Sequence, residues 1–102
     1  MLQCAQMPGE CLLSVQGEFG ATEVRAMERI LGSIMPGGLI TLDFSHAERL
    51  QEFAIGWMAP VLEAVKGSAV RVRGLGRHEL RILAYMGAHL AEEAESFVGE
   101  DA

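Results

Sequence analysis

The chain has 102 residues, half of them apolar and 22% charged, with 14 acidic residues against 8 basic ones and a formal net charge of −6. This length suits one hydrophobic core, hence one domain over residues 1–102, and the composition excludes a disordered chain. The charge opposes nucleic acid and anionic membrane surfaces as partners, while no stretch reaches the roughly 18 consecutive apolar residues of a membrane span and no basic start precedes an apolar run as in a secretory signal. A cytoplasmic protein with no direct membrane insertion is expected.

Residues 2–7 and 10–17 read as a hairpin around Pro8-Gly9, with Cys11, Leu13 and Val15 on one face and Leu12, Ser14 and Gln16 on the other. A two-residue turn there sets Met7 opposite Glu10 and Gln6 opposite Cys11, so Cys4 and Cys11 are offset along the ladder and are expected to be free thiols. Residues 22–34 follow the helical period through Val24, Met27, Ile30, Leu31 and Ile34, with Thr22 placed to cap the first turn and Pro36-Gly37-Gly38 to end the helix.

Leu39 to Phe44 alternates as a strand, a loop passes through His46, and a second helix runs from about Gln51 to Val65. Ala69 to Arg73 alternates with Val70 and Val72 inward and Arg71 and Arg73 toward water. Residues 77–87 form a third helix. Beyond it a small helix through 91–97 is possible, and the acidic tail from about Glu92 to Ala102 reads as frayed. Strands separated by helices require right-handed crossovers, and one-sided alternation puts all the helices on the face bearing Leu13, Leu42 and Val72. The predicted class is α/β, a two-layer sandwich of a small mixed sheet with helices packed on one face.

The order of these elements resembles the STAS domain family, which includes anti-sigma-factor antagonists and sulfate-transporter tails, from Cys11 to Ala88. Gly17-Glu18-Phe19 resembles that family's Gly-Glu-Leu step into its first helix, Leu42-Asp43-Phe44-Ser45 its Leu-Asp-Leu-Ser strand end, and Arg81-Ile82-Leu83-Ala84-Tyr85-Met86-Gly87 its Arg-Leu-Leu-Glu-Leu-Thr-Gly helix. In regulatory members the loop before the second helix reads Asp-Ser-Ser-Gly-Leu-Gly, and a partner kinase that doubles as an anti-sigma factor phosphorylates its second serine. Aligned on Leu50 and Gly56, that motif falls on Gln51-Glu52-Phe53-Ala54-Ile55-Gly56, with Phe53 at the phosphoacceptor position. A phenyl ring carries no hydroxyl, so the addition of about two negative charges that operates such a switch has no acceptor here. The resemblance therefore implies a non-catalytic interaction module in bacterial signalling, whose partner is an anti-sigma-type kinase or another STAS protein, a homodimer included. The runner-up reading is an accessory subunit of a membrane transport complex.

Catalysis finds little support in the residues. His46, His78 and His89 stand apart, with neither the i, i+4 spacing nor the carboxylate company of metal ligands, so neither a metal nor another cofactor is expected. Ser45 and His46 are neighbours on an extended chain and should point to opposite faces. Ser45 reads as a loop residue, in an S-x-x-E capping pattern with Glu48, and as a weak substitute phosphosite. Gly74-Leu75-Gly76 between a strand and a helix has the flavour of a phosphate loop, the one hint of nucleotide sensing, but neither a third glycine nor a following Lys-Ser/Thr completes a fingerprint. Its plain reading is a tight turn, with Arg77 and His78 solvated. Arg71, Arg73, Arg77 and Arg81 read as separate solvated positions.

The second helix carries the sharpest signal. At about 100° per residue, Ile55, Met58, Ala59, Leu62 and Val65 form a core stripe, whereas Phe53 and Trp57 lie about 160° to 200° away together with Pro60 and Ala64. Phe53, Trp57, Glu52 and Ala64 are thus the candidate partner surface, the alternative being that neighbouring elements fold over the two rings. Pro60 cannot donate to Gly56, so a kink or a late start is expected.

Overall fold

The computed structural model describes residues 1–33, 37–65 and 67–87. The expectations for Ile34, Pro36, His89, a helix over 91–97 and an acidic tail lie outside them. The elements run β1 (Leu2–Met7), β2 (Glu10–Phe19), α1 (Ala21–Gly32), β3 (Leu39–Leu50), α2 (Glu52–Glu63), β4 (Ala69–Arg73) and α3 (Arg77–Tyr85). They build one sheet in the order β1-β2-β3-β4, with β1 antiparallel to β2 and both β2–β3 and β3–β4 parallel. The two parallel pairs need helical crossovers, and α1 and α2 supply them.

The sheet follows the predicted alternation. Leu13, Leu42 and Val72 are fully buried in one cluster with Val24, Met27 and Leu31 of α1, Ile55, Met58 and Leu62 of α2, and Leu83 of α3. All three helices therefore cover the same face, as the one-sided pattern requires. Phe19 and Phe44 meet edge to face inside this core, centroids 5.0 Å apart and planes at 87°, a geometry that sets the positive ring edge on the negative face.

Several local expectations are corrected. Helix α1 begins at Ala21 with Gly20 as its N-cap, so Thr22 is an exposed helical residue rather than the cap. The cap works through Glu23, whose carboxylate accepts the Gly20 N–H at 2.9 Å. Glu79 does the same for the Gly76 N–H at the start of α3, also at 2.9 Å. Each is the acidic half of a capping box and places negative charge at the positive end of the helix dipole.

The larger correction is β3, which does not stop at Phe44. It continues as strand through Ser45 and His46 to Leu50, pairing Gln16 with His46, Gly17 with Ala47, Glu18 with Arg49 and Phe19 with Leu50. Between Ser14 and Gln16, and again between Gly17 and Glu18, the register shifts so that β3 spends one extra residue on each step. Such bulges let a strand of weak intrinsic propensity stay on the ladder. Ser-His-Ala-Glu-Arg has no β-branched residue, and its strand conformation is imposed by β2. The same pairing keeps Gly17-Glu18-Phe19 inside β2.

Candidate functional site

Helix α2 starts where the extended β3 ends, and that junction is tied to β2. Gln51, the N-cap of α2, donates its backbone N–H to Phe19 O at 3.2 Å and its side-chain amide to a Glu18 carboxylate oxygen at 2.5 Å. The first turn of α2 is thereby fixed in position, with Glu52 and Phe53 as its first two residues. Helix α2 packs between α1 and α3, which leaves one outward face.

That face is apolar. Phe53 is 56% exposed and Trp57 41% exposed, while Ile55, Met58, Ala59 and Leu62 on the inner face are at 3% or less. The wheel is thus correctly phased, although the buried face is wider than the stripe, since Ala54 and Val61 are buried as well. Pro60 and Ala64 are exposed beside the rings. The helix runs from Glu52 to Glu63 straight through Pro60, so it does not start late. A groove of about 230 Å³ lies between α1 and α2, lined among others by Glu28, Leu31, Trp57, Pro60, Val61 and Ala64.

Two polar contacts frame the face, and neither has a sequence signal because each joins different elements. Arg25 of α1 holds its guanidinium carbon 5.6 Å from the Trp57 ring centroid, within cation–π range. His78 of α3 pairs through Nε2 with the Glu52 carboxylate, which corrects the reading of His78 as merely solvated. The hydrogen bond that the protonated ring donates to Glu52, then the charge of that carboxylate, raise the His78 pKa above its ordinary value. Glu52, Phe53 and Trp57 lie on α2, Ala64 is its C-cap, and all four are exposed.

Ser45 sits elsewhere, on β3, and does not cap a helix with Glu48. Its hydroxyl donates to Asp43 Oδ1 at 2.5 Å, and its backbone N–H donates to the same oxygen at 2.9 Å. Burial alone would push the Asp43 carboxyl up, but the two Ser45 hydrogen bonds, with Arg73 and His46 nearby, hold it net below the ordinary carboxylate value. Ser45 Oγ also lies 3.4 Å from His46 Nδ1, so the bulged strand brings these neighbours together instead of sending them to opposite faces. The order is wrong for nucleophilic catalysis, which needs the histidine between hydroxyl and carboxylate. Here the hydroxyl is in the middle and its proton already points at Asp43.

Arg71 is not simply solvated either. It donates to Thr41 Oγ1 at 3.3 Å and lies 3.8 Å from a Glu10 carboxylate oxygen across the open sheet face. The Gly74 turn is likewise committed to structure. Gly74 has φ +81°, and a Cβ there would fall 2.5 Å from the Ser45 nitrogen, so the glycine serves a close crossing of β3 by the chain leaving β4. Among the described residues, no helix is long and apolar enough to cross a membrane and no group of three or more potential ligands could hold a metal ion.

No family model and no curated protein matches the chain. Solved structures do. The anti-sigma factor antagonist SpoIIAA in its unphosphorylated form matches over 100% of this chain and 99% of its own, with a TM-score of 0.60 at 16% identity. RsbS from Moorella thermoacetica, carrying a serine-to-glutamate substitution, matches over 98% and 97% with a TM-score of 0.60 at 14% identity. The STAS domain of a SulP transporter from Vibrio cholerae matches over 95% and 86% with a TM-score of 0.57 at 15% identity. The fold of this chain is therefore the STAS fold.

Proposed function

We propose that this STAS-fold chain is a non-catalytic, anti-sigma-factor-antagonist-like interaction module in bacterial signalling, which holds a protein partner on the outward face of α2. The observation that carries the reading is the exposure of Phe53 and Trp57 on a helix whose opposite face is fully buried. Two large rings left wet forgo up to roughly 1.5–3 kcal/mol apiece of burial, reduced in proportion to what is already covered, and aromatic anchors of this kind commonly dominate interface energetics. The partner is an anti-sigma-type kinase or another STAS protein, a second copy of this chain included.

Phosphorylation does not gate the interaction at position 53, because Phe53 stands in the first turn of α2 without an acceptor oxygen. Ser45 is a poor substitute, since a phosphate there would sit against the Asp43 carboxylate that now accepts the hydroxyl proton and would be repelled by it. A second reading, an accessory STAS subunit of a membrane transport complex, draws on the likeness to the SulP transporter domain. Nucleotide sensing is not favoured, because the Gly74 turn packs against the Ser45 backbone.

The discriminating experiment titrates the chain against a soluble anti-sigma-type kinase and against a transporter ATPase, with the Phe53→Ala/Trp57→Ala double variant beside it. Binding to the kinase alone, abolished in the double variant and without phosphate gain in the intact mass, supports the reading. Binding to the ATPase alone supports the transport role, and stoichiometric phosphate on Ser45 contradicts an ungated module.

A further inference from the structure

The two cysteines come together in a way their register does not suggest. Cys4 is opposite Leu13, and Cys11 is opposite Gln6, so they are diagonal neighbours on one face of the hairpin. Diagonal positions stand about 7–8 Å apart along the backbone but remain within reach of each other's side chains, and the right-handed twist of a two-stranded ribbon brings such pairs closer. Here the two sulfurs are 3.9 Å apart. Both are free thiols, Cys4 exposed and Cys11 buried. Beside Cys11 opens a cavity of about 300 Å³, bordered also by Gln6, Met7, Gly38, Ile40 and Ser68, which leaves open space next to that thiol.

We infer that Cys4 and Cys11 form a reversible thiol pair that a peroxide closes into an intrachain disulfide. The exposed Cys4 sulfur attacks one peroxide oxygen and the O–O bond breaks. Cys4 becomes a sulfenic acid, and the departing oxygen leaves as water with the thiol proton. The Cys11 sulfur then attacks the Cys4 sulfur and the S–O bond breaks, releasing a second water that carries the Cys11 proton. Two thiols lose two electrons and the peroxide gains them.

The order of the steps follows from the surroundings. Burial, then the hydrogen bond and charge of Cys4, push the Cys11 thiol up to about 11, so near neutral pH it stays protonated and does not meet the oxidant first. Closing the pair to a bond of about 2.05 Å brings the two sulfurs nearer than their present 3.9 Å.

The test treats the folded chain with hydrogen peroxide and follows intact mass and peptide maps with and without dithiothreitol, for wild type, Cys4→Ser and Cys11→Ala. The expected wild-type product is a monomer lighter by two hydrogens, with a Cys4–Cys11 cross-linked peptide that dithiothreitol abolishes. Cys4→Ser, altered at an exposed position, should keep a reduced Cys11 under the same treatment. Cys11→Ala should stop at a Cys4 sulfenic acid that dimedone traps. Should Cys11→Ala not fold, the other two proteins decide. Interchain dimers, accumulation of Cys4 sulfinic acid in wild type, or recovery of both thiols unchanged would overturn the inference.

Discussion

The Arg25 guanidinium carbon lies 5.6 Å from the centre of the Trp57 ring, so the largest aromatic on the outward face of α2 is partly roofed by a charge from α1. The roof is thin. At an exposed site a cation–π contact stabilises by about 0.5–1 kcal/mol, less than a covering protein surface would contribute. Arg25→Ala should lower stability in urea unfolding by no more than about 1 kcal/mol and shift Trp57 emission to the red as the ring gains water. A larger loss would mean that Arg25 supports the α1–α2 packing itself.

Gly74, where the chain leaving β4 passes close to β3, and Gly87, just after α3, form a useful contrast. Both have positive φ, +81° and +93°, but a Cβ on Gly74 would fall 2.5 Å from the Ser45 nitrogen, whereas one on Gly87 would meet nothing within 4 Å. Gly87→Ala should cost about 1 kcal/mol, from backbone strain alone. Gly74→Ala adds a backbone clash and should cost about 3 kcal/mol or more. Chemical denaturation of the two variants checks the ordering, and equal losses would contradict the close crossing.

Much of this was legible in the sequence. Period-2 and period-3.6 patterning located the strands and helices and placed Leu13, Leu42 and Val72 under the helices, because burial on one face leaves that trace directly. It also phased α2 correctly, separating Phe53 and Trp57 from Ile55, Met58 and Leu62. What escaped was whatever depends on a distant segment. The strand character of residues 45–50 comes from pairing with β2 and not from their own propensities. Arg25 over Trp57, Glu52 with His78 and Arg71 with Thr41 each join residues at least 26 apart in the chain, which no local pattern announces. Thr22 was a plausible cap, but the helix began one residue before it and used a glycine with Glu23.

The Glu52–His78 pair links the first turns of α2 and α3 and should make stability depend on pH with a definite sign. Glu52 raises the folded-state pKa of His78, while in the unfolded chain a histidine titrates near about 6.5. The stabilisation is therefore fully present below about 6.5 and is lost as pH rises through the higher folded value. Thermal midpoints of wild type and His78→Gln should differ most in mildly acidic buffer and converge toward alkaline pH. A direct check is the His78 ring titration by NMR, which should show a midpoint above the ordinary histidine value in wild type and a drop toward it in Glu52→Gln. An unchanged midpoint in Glu52→Gln would dissolve the pair.

The proposal that α2 presents a protein-binding face meets its most direct test in Trp57→Ala, measured once for folding and once for association. Trp57 is 41% exposed, while the Ile55, Met58 and Leu62 side of the helix is closed, so truncating the ring leaves the core in place. Association with the partner, or with a second copy of the chain, should weaken by about 2 kcal/mol or more. Unfolding of the isolated chain should shift by about 1 kcal/mol or less, as for a substitution outside the core. If Trp57→Ala instead collapses stability and leaves association unchanged, the ring belongs to the core and the binding surface lies elsewhere on the molecule.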